Sequence, residues 1–357
     1  MIENKNAELN ELLKNFSIDR KTYEFQGINQ GYINDTYLVL DNHYPLYILQ
    51  RVNHNVFKDV HGLMGNIANA FQHLQDQNYT AIELLKTESD NSYFKDEKTG
   101  YWRLMTYINN TTAYDNATDT DIAFEAGRVV GKFHQLLAEA PLDNYVDTIP
   151  QFHNLPLREK QFEESLGSAK REKLETAKKA ISFAKETLEK LKILDNSKLP
   201  LRVCHNDTKL NNILFSKEDS KALCLIDLDT IMKGYFYFDF GDAIRTVANT
   251  AAEDEQDHSK ITFERTLFEA FIKGLDSNGP FLYKEEIDLL AWGAVFMPFI
   301  HGLRALTDYL NDNIYYKVSY ENQNLDRCLS LFDFTNKALQ EIGYMTQVIK
   351  KGLSPKV

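Results

Sequence analysis

The chain has 357 residues, of which 43% are hydrophobic, and a formal net charge of −12. Its length exceeds what one compact core usually holds, and 22 Phe and 19 Tyr exclude a disordered chain. The acidic balance argues against nucleic acid and anionic membrane surfaces as partners, leaving a small-molecule ligand as the expectation and a monomer as the default.

Cys204, Cys224 and Cys328 are odd in number and scattered, which reads as buried reduced thiols in a cytoplasmic protein. The start Met1-Ile-Glu-Asn-Lys-Asn6 lacks the basic and apolar parts of a signal peptide, and no apolar run is expected to span a membrane.

In chain order, residues 7–16 read as a short amphipathic helix, with Leu9, Leu12, Leu13 and Phe16 on one side. Strand patterns follow at 23–26, 36–40 and 46–51. Gly27-Ile-Asn-Gln-Gly31 joins the first two, and Asp41-Asn42-His43 is a turn. Glycines at loop ends admit backbone N–H groups to a phosphate, and Asn34 and Thr36 add polarity, but an ordinary hairpin turn is the simpler account of the glycine pair alone. Residues 57–76 read as a helix buried through Val60, Met64, Ile67, Phe71 and Leu74. Strands at 82–85 and 101–108 flank a polar hairpin. Beyond Asn110 the pattern is helical, at 122–138, 157–194, 239–249, 261–275, 284–311 and 322–348. The long 157–194 segment carries Lys and Glu at i,i+4 spacing, the mark of a solvated face. His134 reads as structural, since no partner cluster lies near it in sequence. The aromatics Tyr235-Phe-Tyr-Phe238 read as core packing.

The most informative stretch is Leu201-Arg-Val-Cys-His-Asn-Asp-Thr-Lys-Leu-Asn-Asn-Ile-Leu-Phe215. Two short apolar strands enclose a loop bearing His205, Asp207, Lys209 and Asn212. Phosphoryl transfer needs a carboxylate at the attacking hydroxyl, a cation at the transferring phosphate and an oxygen for a metal. His-x-Asp-x-x-x-x-Asn is the spacing of a kinase catalytic loop, and a further apolar strand at 223–226 ends on Asp227. Asp207 is the expected base or orienter of the acceptor hydroxyl, and Lys209 the phosphate cation. Asn212 and Asp227 are the expected ligands of Mg²⁺, which with local basic groups meets the charge of ATP despite the acidic chain. His205 is expected to brace the loop. Asp239-Phe240-Gly241 spells the kinase metal tripeptide but lies too far past its strand, so Asp239 reads as a helix cap.

These parts predict an α+β, protein-kinase-like two-lobe fold. Residues 1–108 form an N-terminal nucleotide-binding lobe, a five-stranded antiparallel sheet plus one helix. Residues 109–357 form a larger, mostly helical lobe for catalysis and substrate. Gly27, Gly31, Asn34, Thr36 and Gln50 then face the phosphates of ATP. Residues 103–109 are the connector, with Thr106, Tyr107 and Ile108 at the adenine. The third strand offers Gln50 and Arg51 where a kinase has a lysine held by a helix glutamate, and the helix offers only Asn66. Lys209 is the expected substitute for that charge.

Six strings carry a resemblance: Gly31-Tyr-Ile-Asn-Asp-Thr-Tyr-Leu-Val39, Tyr47-Ile-Leu-Gln50, Val203-Cys-His-Asn-Asp-Thr-Lys-Leu-Asn-Asn-Ile-Leu214, Ile226-Asp-Leu-Asp-Thr-Ile-Met232, Phe238-Asp-Phe-Gly-Asp-Ala-Ile-Arg245 and Leu303-Arg-Ala-Leu-Thr-Asp-Tyr-Leu310. They resemble the aminoglycoside phosphotransferase and choline kinase superfamily and, within it, the N-acetylhexosamine 1-kinases. The resemblance implies transfer of the γ-phosphoryl group of ATP, with Mg²⁺, to the anomeric hydroxyl of GlcNAc or GalNAc. Arg304, Asp308 and Tyr315 then hold the sugar, with Tyr32, Arg245 and Asp207. From sequence alone a surface ion pair and core tyrosines account for these residues equally. Two other readings stand beside this one. A kinase of a cationic or amino-acid acceptor (aminoglycoside, choline or homoserine) suits the acidic chain. A catalytically silent nucleotide-binding module suits the missing strand lysine, but not the intact Asp207, Asn212 and Asp227.

Overall fold

The computed structural model describes residues 2–28 and 33–356, with side chains from Lys5 onward. The expectations placed on Gly31 and Tyr32 lie outside the described residues. Helix α1 (Ile2–Leu13) precedes strands β1 (Glu24–Ile28), β2 (Asp35–Asp41) and β3 (Tyr44–Val52). Then come α2 (Val60–His73), β4 (Leu84–Leu85), β5 (Phe94–Asp96) and β6 (Gly100–Thr106). The sheet is antiparallel throughout, in the order β1-β2-β3-β6-β4, with β5 pairing β6. It has six strands, not five, because the polar hairpin closes into its own strand pair. Asp96 Oδ1 accepts from the Lys98 and Thr99 amides, and Gly100 at φ +93° lets the chain fold back. Asn42 and His43 take φ 49° and 68°, the left-handed pair a two-residue hairpin needs. Gly27 lies within β1 opposite Tyr37 rather than in a loop. Asp59 caps α2 by accepting from Gly62 N.

One core, formed by Leu9, Leu13, Phe16, Val39, Leu49, Trp102 and Leu104, joins α1 to the sheet. A larger one runs from Val52 through α2 into the helical part.

That part opens with β7 (Thr111–Thr112) and α3 (Thr120–Leu136), followed by α4 (Leu155–Ser168), α5 (Arg171–Thr176) and α6 (Lys178–Leu191). Next come β8 (Arg202–Cys204), β9 (Ile213–Ser216), β10 (Ala222–Leu225) and β11 (Met232–Gly234), which form a β10-β9-β7 sheet and a β11-β8 pair. Helices α7 (Phe236–Val247), α8 (Arg265–Asp276), α9 (Lys284–Leu310), α10 (Gln323–Gln340) and α11 (Ile342–Gly352) complete it. The α+β two-lobe expectation therefore holds.

Several details differ. The single helix expected over 157–194 is three: Ala169 and Lys170 turn extended (ψ 149° and 139°) after the weak helix formers Gly167 and Ser168, and Ala177 (φ −86°, ψ 5°) makes a second break. Nor are its charges all solvated. Lys173 is buried, and its Nζ donates to Tyr309 O at 2.7 Å and lies 3.0 Å from Asp312 Oδ1, satisfying a carbonyl in the last turn of α9. The 322–348 segment is two helices meeting at Glu341. Helix α9 is long and apolar enough to cross a membrane, but 83% of its most apolar window is buried inside the protein. Phe236, Tyr237 and Phe238 are buried, and so are all three free cysteines.

Helices α3 and α8 cross backbone to backbone. A Cβ on Gly127 would stand 2.1 Å from Phe271 O, and one on Gly274 1.9 Å from Phe124 O, so neither position admits a side chain. Helix α3 also grips β10: Arg128 Nη2 donates to Ala222 O at 2.5 Å, and Glu125 Oε2 accepts from Ala222 N at 2.9 Å.

Candidate active site

The loop after β8 is held from beneath by Asp239. Its carboxylate accepts from His205 N (2.8 Å), Asn206 N (2.7 Å) and His134 Nε2 (2.8 Å). Thr208 Oγ1 donates to its carbonyl at 2.6 Å. Asp239 therefore does not cap its own helix, where it is the fourth residue; fully buried, it caps the loop instead. His134 is its structural partner. His205 Nε2 donates to Ile226 O at 2.8 Å, and His205 Nδ1 accepts from Asp207 N at 3.2 Å.

The loop brings Asp207, Lys209 and Asn212 together. Lys209 Nζ lies 3.0 Å from Asp207 Oδ2, and Asn212 Nδ2 donates to both Asp207 O and Oδ2 at 2.8 Å. Burial works against ionisation of Asp207, but Lys209, then Arg245 and His205, outweigh it and hold the carboxyl below its ordinary range. Asp207 in turn raises Lys209, so both stay charged.

With its amide nitrogen turned to Asp207, Asn212 keeps Oδ1 free of hydrogen bonds among the described residues. Ile226 N donates to Asn212 O at 2.8 Å, which sets Asp227 one residue beyond that link. Asp227 takes the left-handed conformation (φ 61°, ψ 54°); the residue is exposed, with protein groups crowded around its carboxylate. Crowding first, then the neighbouring Asp229 and Asp207, push its pKa up to about 6. An amide oxygen and an anionic carboxylate beside further negative charge fit a small hard cation such as Mg²⁺.

On the sheet side, Thr36, Gln50 and Arg103 are cross-strand neighbours. Gln50 Nε2 donates to Thr36 Oγ1 at 3.0 Å, and Gln50 Oε1 accepts from Arg103 Nε (3.0 Å) and Nη2 (2.8 Å). Arg103 Nη1 meets Asp229 Oδ1 at 2.5 Å, and both residues are about fully buried (2% and 3% exposed). Asn34 Nδ2 donates to Asp229 Oδ2 at 2.7 Å, and Asn34 Oδ1 accepts from Asn53 N at 2.9 Å. No motif marks Arg103. The available signals are an arginine inside an apolar strand and a second acid two residues past Asp227. Arg103 is thus mid-strand, not part of the connector. Asn66 does not face Gln50; its Nδ2 donates to Val146 O and Ile231 O, both at 2.8 Å. Thr106 N donates to Glu83 O and Tyr107 N to Leu46 O, both at 3.0 Å. Of the three residues expected at the adenine, only Ile108 has an N–H without a partner among the described residues.

The other side of Asp207 is rich in guanidinium groups. Arg245 Nε lies 2.5 Å from Asp242 Oδ1, and Glu253 Oε1 is shared by Arg245 Nη1 (3.6 Å) and Arg327 Nη2 (2.8 Å). Arg304 makes no hydrogen bond or ion pair among the described residues. Its guanidinium stands over the rings of Phe152 (5.0 Å) and Tyr315 (6.0 Å). Arg158 is close enough that its pKa falls to about 10, through burial first and then Arg304. Asp308 does not pair with Arg304. Its carboxylate accepts from Tyr315 N (2.8 Å), Tyr316 N (2.9 Å) and Asn324 Nδ2 (2.9 Å), shaping the turn after α9. Because α9 stops at Leu310, Tyr315 reaches Arg304 through that turn rather than along the helix.

His153, buried beside this cluster, donates from Nε2 to Asn206 O at 3.1 Å. Burial, then His301 and Arg304, lower its pKa from 6.5 to about 3. The unfolded chain therefore binds a proton below pH 6.5 that the folded chain refuses, so stability falls as pH falls through that window. Between pH 7 and 5 the wild type should lose about 2 kcal/mol more than His153→Gln in urea denaturation. Equal losses would mean that His153 titrates normally.

The APH family model, described as a phosphotransferase enzyme family, matches residues 24–270, well over half of the chain. The fold is similar to that of a microcompartment-associated aminopropanol kinase (13% identity, TM-score 0.63, 95% of this chain and 98% of that one). It is also similar to spectinomycin phosphotransferase APH(9)-Ia in complex with ADP and spectinomycin (16%, 0.60, 96% and 98%). A third is the amicoumacin kinase hAmiN in complex with AMP-PNP, Ca²⁺ and Ami (14%, 0.58, 94% and 96%). At these identities the likeness is one of fold.

Proposed function

Because the chain belongs to the APH phosphotransferase enzyme family, we propose that it is an ATP-dependent kinase of a small hydroxyl acceptor, and that the acceptor is an N-acetylhexosamine phosphorylated at its anomeric hydroxyl. The division into a nucleotide lobe (1–108) and a catalytic lobe (109–357), and a cytoplasmic location, belong to the same proposal.

Asp207 takes the proton of the acceptor hydroxyl, whose oxygen bonds to the γ-phosphorus as the bond to ADP breaks. Asn212 fixes the rotamer of Asp207 through its Nδ2. Lys209 offsets the charge that develops on the transferred group. Mg²⁺ held by Asn212 Oδ1 and Asp227 would neutralise phosphate charge. Ile108 N–H is the free connector donor for an adenine acceptor atom.

The observation that supports a neutral sugar over a cationic acceptor is Arg304. A guanidinium without a carboxylate, flanked by Arg158 and two aromatic rings, repels an ammonium group. It suits hydroxyl or acetamide oxygens, with a ring for the apolar sugar face. Arg304→Met should raise the acceptor KM about 10- to 100-fold and leave the ATP KM nearly unchanged. A change in both would place Arg304 elsewhere.

The test is Mg²⁺-dependent ADP release from ATP over GlcNAc, GalNAc, galactose, glucose, choline, homoserine and kanamycin, with Asp207→Asn as control. Turnover confined to the N-acetylhexosamines and lost in the control is the expected result. Turnover on amine acceptors alone would discard the sugar assignment and keep the kinase.

A further inference from the structure

In a kinase, a strand lysine paired with a helix glutamate links sheet, helix and phosphates. Here Gln50 holds that strand position, and Arg103 stands next to it in the sheet. Arg103 is no stand-in phosphate ligand. Its Nε and Nη2 donate to Gln50 Oε1, its Nη1 meets Asp229, and 2% exposure leaves a nucleotide no approach. What the pair fixes is the short turn Leu228–Thr230, which begins at Asp227. Thr230 Oγ1 ties the far end of that turn to His205 O at 2.7 Å, and Asn34 ties Asp229 to the start of β2. A non-glycine residue held left-handed persists only where its surroundings over-determine it, and Asp227 at φ 61° is such a residue.

We propose that the buried Arg103–Asp229 pair, oriented by Gln50, is a positioning device for the Asp227 carboxylate: it holds that group where a divalent cation on the nucleotide phosphates needs it, without itself touching the nucleotide. This rests on the kinase reading above. It replaces a contact made to the phosphates with one made behind the metal ligand.

Removing one partner of a buried ion pair strands the other charge, so the decisive variant removes both, Arg103→Met with Asp229→Asn. A second variant, Gln50→Met, keeps both charges and deletes the bonds of the Gln50 amide to Arg103 and Thr36; that amide, spent on these two partners, is not the phosphate contact expected of it. ADP binding to the full chain is measured by calorimetry over a Mg²⁺ series and in EDTA, with circular dichroism as the check on folding. The double variant should raise the Mg²⁺ concentration for half-saturation about tenfold or more, and Gln50→Met about threefold, with ADP affinity in EDTA unchanged. Should the double variant not fold, Gln50→Met decides. An unchanged Mg²⁺ dependence in a folded variant overturns the proposal. So does weakened ADP binding in EDTA, which would make the cluster a nucleotide contact. No ADP binding by the unaltered protein would remove the kinase reading, and this role with it.

Discussion

Asp207→Asn is expected to lower kcat about 10³-fold, roughly 4 kcal/mol of transition-state stabilisation, while Mg²⁺-ADP affinity stays within about threefold. The geometry behind this is specific. Asp207 Oδ2 receives Asn212 Nδ2 at 2.8 Å and Lys209 Nζ at 3.0 Å, so the carboxylate is held ionised and aimed. Asparagine keeps the size but cannot take a proton, and its own N–H₂ group must turn away from two donors. The measurement pairs steady-state kinetics with calorimetry. A fall of less than tenfold would refute the base, and a parallel collapse of nucleotide affinity would reassign Asp207 to binding.

Lys209→Ala should cost about 10²- to 10³-fold in kcat, the range seen when one preorganised donor to developing charge is removed. The strand that carries Gln50, β3, supplies no lysine, and Arg103 is closed off by Asp229, so Lys209 is the cation nearest the base. Two effects combine in this variant. The transferring group loses a counter-charge, and Asp207 loses the group that most lowers its pKa. Lys209→Arg restores the charge with a broader head and should recover about tenfold of the loss. Near-normal kcat in Lys209→Ala would sink the assignment. Equal losses in both variants would make the role one of shape rather than charge.

The loop, its His205 brace and the apolar helix faces were legible because each is a local pattern. Asp207, Lys209 and Asn212 fall within six residues, and the roles proposed for them follow from that spacing. The links made across long separations were not. Nothing near Arg103 announces Asp229, and Asp239 looks like a helix cap until its partners His134, His205 and Asn206 are seen around it. The break at Ala177 is masked by the good helix formers on either side, the break at Ala169 is marked only by Gly167 and Ser168 within a Lys- and Glu-rich run, and the buried Lys173 reads in sequence as one more surface charge. Arg304 and Asp308 share a helical spacing, but Asp308 is taken by the backbone of its own turn. Of the two aromatic rings at Arg304, Tyr315 is brought by that same turn and Phe152 comes from far upstream.

The crossing of α3 and α8 at Gly127 and Gly274 sets a tolerance for the whole site. From α3, one clamp reaches Ala222 and so the strand that delivers Asp227; from the same helix, His134 reaches Asp239 and so the loop that delivers Asp207. The two carboxylates are thus surveyed from a single datum, and a displacement of α3 carries both in the same direction. Their separation is preserved under deformations that would spoil a site referenced to two independent bodies. A side chain at either glycine acts differently, levering one helix off the other and shifting that datum against α8.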